Sequence, residues 1–441
     1  MNANLTQNRL VTLILLLALF AGLSGCGRDY SSRMDDVLNA VYARQNERAL
    51  DAVDRLVKRG TENKKPERNN LTLLLLERAS IYQAVGNHEE ALNDLLAADQ
   101  MLEILDLTPQ GARNAAAFLF SDDARVYHAP IYEKLLVNIS AIGSFLALGN
   151  YQAAATEARR IFVLAEYFEG TELHEHPMLA SAYSIAGLAL ELGGDPSGAR
   201  HAYRRALEIQ PSEFTEQSNA YLSNPRRKPP QELIVILFSG IGPTKIAQAF
   251  PVGVVLGWLN DATPLGNDEH NIVAGLSAEE LSSWVRFPVL QRHDEVATRW
   301  YMTPETGVSI TMEPISDVAA FALDQWLQAR PTIAWSAITR FITRHVARQA
   351  LAAGGRAVGG IGGAIMSLGG LVAQNAMLAA DTPDTRAWNT IPAGIHIARI
   401  PATTGTQRIA FQAADGSGRT HTVEINVPEG RSLVVTERVF D

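Results

Sequence analysis

Few residues in this sequence are spaced for chemistry. The chain of 441 residues has one cysteine, Cys26, so neither an internal disulfide nor a cysteine-built zinc site is open to it. Leu173-His174-Glu175-His176 places two histidines two apart. Such a pair can ligate zinc, but no third ligand stands nearby, and before Pro177 the segment reads as a solvated helix entrance; no metal is expected. Asp122, Asp123 and His128 form a polar cluster suited to capping and loop solvation or to a partner contact. Ser239 lies in Leu-Phe-Ser-Gly, not in the Gly-x-Ser-x-Gly of a nucleophile elbow. Gly240-Ile241-Gly242-Pro243-Thr244-Lys245 follows an apolar run as a phosphate loop would, yet it lacks the required spacing and Pro243 removes an amide donor. There remains Asp384-Thr385-Arg386-Ala387-Trp388. An arginine between an acid and an indole can form an ion pair and stack. Asp384, Arg386 and Trp388 are read as a pin joining a helical hairpin to a C-terminal sheet, or else as a ligand or partner site. No catalytic residues and no cofactor are expected.

Cys26 has a different chemistry. Residues 1–9 are polar, Leu10–Phe20 is apolar, and Leu23, Ser24 and Gly25 lead directly into Cys26. A short apolar run followed by small residues before a cut site makes a secretory leader, and the run is short of the ~20 residues of a comfortable membrane span. Leu-Ser-Gly-Cys resembles the bacterial lipobox. That resemblance implies cleavage before Cys26, with diacylglycerol on its thiol and an acyl chain on its new amino terminus. Each buried methylene contributes about 0.8 kcal/mol, so several chains anchor stably. Gly27 replaces the aspartate that commonly retains such proteins at the inner membrane, which favours the outer membrane by analogy. Arg28–Ser32 reads as a polar tether.

The elements that position these residues begin with a repeat. Gly86…Ala91, Gly149…Ala154 and Gly194…Ala199 each read Gly-x-x-x-x-Ala between two apolar helical stretches. Glycine ends one helix at little steric cost, and alanine lets the next pack closely. Around Ala199 stand Tyr183, Gly187, Leu190, Tyr203, Ala206 and Pro211, offsets that resemble the 34-residue tetratricopeptide pattern. The glycines are 63 and 45 residues apart, so the repeats are interrupted. Asn39–Val57 reads as a degenerate fourth copy. A generic helical bundle is the alternative. Either way the segment is a helical scaffold, because one helix pair cannot bury its apolar face alone.

Pro211–Pro230 is rich in Ser, Asn, Arg and Pro and reads as a linker. Glu232–Phe238 is an apolar, β-branched run, hence a buried strand; Pro251–Leu256, Val285–Leu290 and Gly307–Met312 are weaker strand candidates. Asp317–Gln328 and Thr332–Ala353 look helical, the second with Arg340, Arg344 and Arg348 on one face. Ala357–Ala380 has no charged residue and many glycines nearby, which suits a tight helical hairpin better than a membrane span. Ile395–Ile400, Gln407–Gln412, Thr420–Val427 and Ser432–Val439 alternate between turns, suggesting a small antiparallel module.

The expected fold is mainly α with an α+β C-terminal half. It comprises a leader (1–25), a lipidated tether (26–32), a tetratricopeptide-like helical solenoid (33–215), a linker (216–230), a mixed α/β region (231–330), a glycine-rich helical hairpin (331–380) and a small antiparallel β module (381–441). The order of lipobox, interrupted repeats, Leu-Ile-Val-Ile-Leu-Phe-Ser-Gly-Ile-Gly-Pro and Asp-Thr-Arg-Ala-Trp-Asn-Thr-Ile-Pro is similar to a family of uncharacterised bacterial tetratricopeptide lipoproteins. The resemblance implies localisation and architecture, and no activity. A net charge of −9 argues against wholesale nucleic-acid binding. The expected role is a noncatalytic cell-envelope adaptor that binds a protein or peptide partner through its repeats and the membrane through its lipid; the alternative is an envelope hydrolase acting on cell-wall polymer.

Overall fold

The computed structural model describes residues 30–64, 67–106, 127, 129–166, 175–262, 274, 276–292, 299–305, 307–357, 383–414 and 420–440. Leu23, Ser24, Gly25 and Cys26, the Asp122–Asp123–His128 cluster, His174 and the glycine-rich stretch 358–382 lie outside them. The chain is mostly helical, with a C-terminal sheet region of small, largely antiparallel strands.

Helices α1 (Tyr30–Tyr42), α2 (Asn46–Thr61), α3 (Leu71–Ala84), α4 (His88–Asp106), α5 (Ile131–Ala147), α6 (Tyr151–Glu166), α7 (Pro177–Leu192), α8 (Pro196–Ile209) and α9 (Glu213–Ser223) follow one another, each packed on the next. The three glycines sit where the repeat requires them, at φ +72° (Gly86), +68° (Gly149) and +80° (Gly194). The next residue then caps the following helix: Asn87 Oδ1 accepts from Glu90 N, Asn150 Oδ1 from Ala153 N and Asp195 Oδ1 from Gly198 N. Ala91, Ala154, Ala199 and Ala206 are fully buried. A methyl group added at Gly187 would lie 2.5 Å from Tyr203 Cε1. Gly187→Ala should therefore push α7 from α8 and cost about 1–3 kcal/mol by overpacking; an unchanged urea midpoint would show that the pair has slack.

The remaining elements are β1 (Glu232–Ser239), β2 (Thr244–Pro251), α10 (Val252–Ala262), α11 (Ala278–Ser282), β3 (Trp284–Gln291), β4 (Trp300–Pro304), β5 (Ile310–Thr311), β6 (Glu313–Asp317), α12 (Val318–Ala357), β7 (Gly394–Pro401), β8 (Gly405–Ala413), β9 (His421–Val427) and β10 (Leu433–Val439). The central sheet has the order β10-β1-β7-β6, with β1 parallel to β10 and antiparallel to β7; a second sheet runs β5-β4-β8-β9, and β2 pairs with β3. Ile234, Ile236 and Phe238 of β1 pack with the helices, while Leu233, Val235 and Leu237 pack with the second sheet. The uninterrupted apolar run of β1 follows from this burial on both faces. Helices α3, α5 and α7, the first members of their pairs, turn their inner faces onto the sheet: α3 and α5 contact β10, and α7 contacts β6.

Several expectations are corrected. The linker is largely helix α9: Ser212 Oγ accepts from Thr215 N, and the Glu313 carboxylate, brought by β6, accepts from Glu213 N and Phe214 N. Pro251–Leu256 is not a strand, because β2 ends at Pro251 and Val252, Val255, Leu256 and Leu259 form one buried helical face. The two helices expected around Pro331 are the single helix α12. Proline removes one helical bond, but burial continues on both sides of it, with Phe321 and Ala322 on one core and Ala334, Ala337 and Ile338 on another. The first arm of the proposed hairpin is thus part of this longer helix, and its second arm lies outside the described residues, as do the side chains of Arg344 and Arg348. Residues 381–441 do not close into their own module: β7 and β10 flank β1, whereas β8 and β9 join β4 and β5. The chain therefore does not divide at 330/331 or at 380/381. Nor does the tether extend to Ser32, since α1 begins at Tyr30.

Candidate functional site

The Asp384–Thr390 loop runs between the helical layer and the sheet. The Arg386 guanidinium is 3% exposed. It donates from Nε and Nη2 to the two Asp384 oxygens at 2.8 and 2.7 Å and from Nη1 to Asn70 Oδ1 at 3.2 Å, and it lies over the Tyr127 ring. Trp388 is buried, and its Nε1 donates to Ser80 Oγ on α3 at 2.9 Å. Asp384, Arg386 and Trp388 are thus brought together as a pin. It fixes the repeat helices to the loop that leads into β7; the glycine-rich stretch that the pin was expected to join lies outside the described residues.

Two acids that sequence reading passed over receive this loop. Glu77 of α3 is fully buried. Its carboxylate accepts from Asn389 N and Nδ2 at 2.8 and 2.9 Å, from Thr390 N and Oγ1 at 2.9 and 2.6 Å, and from Tyr30 Oη at 3.2 Å. Burial nevertheless pushes its pKa up to about 7 against the hydrogen bonds from Thr390 and Asn389. Glu133 of α5, also fully buried and raised by desolvation, accepts from Trp388 N at 3.3 Å, Tyr132 Oη at 3.3 Å and Tyr127 Oη. The readable signal was a lone glutamate inside each apolar stretch, Leu-Leu-Leu-Leu-Glu77 and Ile-Tyr-Glu133; buried polar residues are the informative exceptions.

The loop after β1 completes the joint. Gly240 takes φ +66°, and Gly242 N donates to Ile391 O at 2.7 Å. A methyl group at Gly242 would collide with the Ile391 side chain. The glycines thus serve close approach to the pin, and Lys245 Nζ donates to Arg386 O at 3.1 Å.

A second buried network ties β7 to the repeats. Arg399, with its side chain 1% exposed, donates to Glu232 from Nε and Nη2 at 3.0 and 2.8 Å, and to Glu191 from Nη1 and Nη2 at 3.0 and 2.7 Å. Ser218 Oγ accepts from Nη1, and Lys228 Nζ donates to Glu191 at 2.7 Å. Burial alone would raise Glu191, but the Arg399 hydrogen bonds and charge outweigh it and hold its pKa below the ordinary value.

Ser239 and His396 do meet, with Nε2 and Oγ 2.9 Å apart. This is a nucleophile–base distance, yet both side chains are buried and, among the described residues, His396 Nδ1 has no partner to orient it. Desolvation pushes the His396 pKa down to about 4, so it is neutral at pH 7. The pair is a core contact. His176 caps α7, with Nδ1 accepting from Met178 N at 3.1 Å, and its other nitrogen faces Asp324. Among the described residues no cluster of three metal-binding side chains occurs, and no helix is long and apolar enough to cross a membrane.

In comparison with known proteins, no family model matches this chain, and no curated protein matches it.

Proposed function

We propose that this chain is a lipid-anchored envelope adaptor: a tetratricopeptide-like solenoid, held to the outer membrane through Cys26, that presents helices to a protein or peptide partner. Support for envelope or peptidoglycan assembly is the task this reading favours. The observation that carries it is the three-fold recurrence of a left-handed glycine, a capping Asn or Asp and a fully buried alanine at successive helix pairs. Repeated pairs of this kind build extended binding surfaces.

The chain's own sheet covers the inner faces of α3, α5 and α7, so the partner in this reading meets the second helices, where Leu96 and Val163 are exposed. Tyr30 is four residues from Cys26 and already sits in the pin. An extended chain covers at most about 3.6 Å per residue, so a lipid on Cys26 would hold the pinned end within roughly 14 Å of the membrane surface.

Cys26→Ser should move the protein from the membrane to the soluble fraction or leave it uncut. In-cell crosslinking and mass spectrometry should recover one envelope protein with the native chain and much less of it with Val163→Asp. Membrane recovery of the serine variant would refute the anchor. Crosslinks that are indifferent to Val163→Asp would refute the outer-helix surface.

A further inference from the structure

The first helix pair departs from the others at the two positions that build their turns. Where they have Gly86, Gly149 and Gly194, it has Arg44, held at φ +58°. This left-handed conformation disfavours a side chain. Where they have a capping Asn or Asp, it has Gln45, which makes no side-chain cap to α2 and accepts from Arg48 Nη1 at 3.1 Å instead. The amino end of this 16-residue helix thus lacks the side-chain oxygen its counterparts have. Helix N-terminal amides and the helix dipole favour an anion at that place.

The amino end borders a pocket of about 270 Å³ lined by Arg44, Asn46, Thr420, His421, Arg438 and Phe440, among others. Arg438 is 2% exposed. Of its five N–H groups, two on Nη1 go to Phe238 O and Val439 O at 3.2 and 2.6 Å, and one on Nη2 goes to Thr390 O at 2.9 Å. Nε has no partner. That leaves Nε–H and one Nη2 hydrogen, the donors that grip two oxygens of a carboxylate or phosphate. Among the described residues no carboxylate pairs with this guanidinium; the adjacent Glu437 is taken by His421 at 3.0 Å. Desolvation alone pushes the Arg438 pKa down to about 9, the mark of a buried cation without a counter-charge. Asn46 Oδ1 is also buried, with no partner among the described residues, so it can accept from a hydroxyl or protonated oxygen of the same ligand. Glu47, in the first turn of α2, is the acid nearest in sequence, and it is exposed.

We propose that this pocket binds one small oxyanion, a phosphate or carboxylate group, gripped by Arg438 against the amino end of α2 with Arg44 at its mouth. The repeat thereby gives up a glycine and a capping residue at one turn to make a binding site. The site is independent of the partner surface proposed above.

The test uses the full chain in detergent, at constant ionic strength made up with chloride. Inorganic phosphate and acetate are titrated separately by calorimetry, with thermal unfolding in parallel. One of the two should bind with one-to-one stoichiometry and raise the melting temperature, and which one does so identifies the oxyanion. Arg44→Gly suits the left-handed turn, so the variant should fold, while its affinity falls about tenfold, the loss of one charge-assisted contact. Arg438→Gln should abolish binding. If Arg438→Gln does not fold, the glycine variant decides alone. Binding of neither anion above the chloride background, or an affinity untouched by Arg44→Gly, would overturn the proposal.

Discussion

Arg399→Met should destabilise the protein by about 3–5 kcal/mol, measured as a fall in urea midpoint at neutral pH. Methionine fills much of the same volume, so the loss is electrostatic. Glu191 and Glu232 have side chains 5% and 1% exposed, and without Arg399 the one cation that pairs with them among the described residues is the partly exposed Lys228. Breaking a buried pair costs far more than the pair contributes, because the remaining charge cannot regain its water. The triple variant Arg399→Met with Glu191→Leu and Glu232→Leu should therefore recover most of the loss. If the single variant is as stable as the native chain, the network is hydrated and does not tie β7 to α7. Glu191 adds a pH signature. Its folded pKa is depressed, so its contribution is present above the unfolded value near 4.5 and is lost as pH falls through the folded one.

Glu77→Leu should be of similar size, about 3–5 kcal/mol, for the opposite electrostatic reason. Among the described residues no cation pairs with Glu77; it faces five donors from Tyr30, Asn389 and Thr390. Removing the carboxylate strands backbone and side-chain N–H and O–H groups in a dry interface, and each buried unsatisfied group costs about 1–3 kcal/mol. The pH dependence has a definite sign. Because the folded pKa is raised to about 7 from 4.5, the contribution of Glu77 is greatest below 4.5 and shrinks as pH rises through 7. The gap between native and Glu77→Leu should therefore be wider at pH 4.5 than at pH 7.5. A gap of under 1 kcal/mol at both would show that the loop does not depend on this carboxylate.

The helix turns were legible because their determinants are local. Glycine at φ near +70° and a capping residue just after it are needed whatever else the chain does. The strands near Val285–Leu290 and Ile395–Ile400 were legible from alternation and β-branching. What escaped was fixed by distant partners. Helix α9 is weakly apolar, and part of its cap is Glu313, about 100 residues away. Helix α12 runs through Pro331 because two separate cores hold its halves. The C-terminal strands could be located but not assigned to sheets, since β10 pairs with β1 across most of the C-terminal half. The pin was half legible. Asp384, Arg386 and Trp388 stood out as a motif, while the acids that receive the loop, Glu77 and Glu133, looked like ordinary helix residues. A charged residue in or at the end of an apolar run, as at Glu77, Glu133 and Arg399, is the pattern that marks these buried nodes.

Native-state hydrogen exchange on the full chain tests most directly whether repeats and sheets form one body. The amides of Asn389 and Thr390 are bound to Glu77, and that of Trp388 to Glu133. If the pin joins the layers, these amides, those in the middle of α3 and α5, and those of β1 should all exchange with one opening free energy, equal to that of global unfolding. If instead the sheet amides exchange through a lower-energy opening while the helices stay protected, the two layers are separate units and the pin does not hold them together.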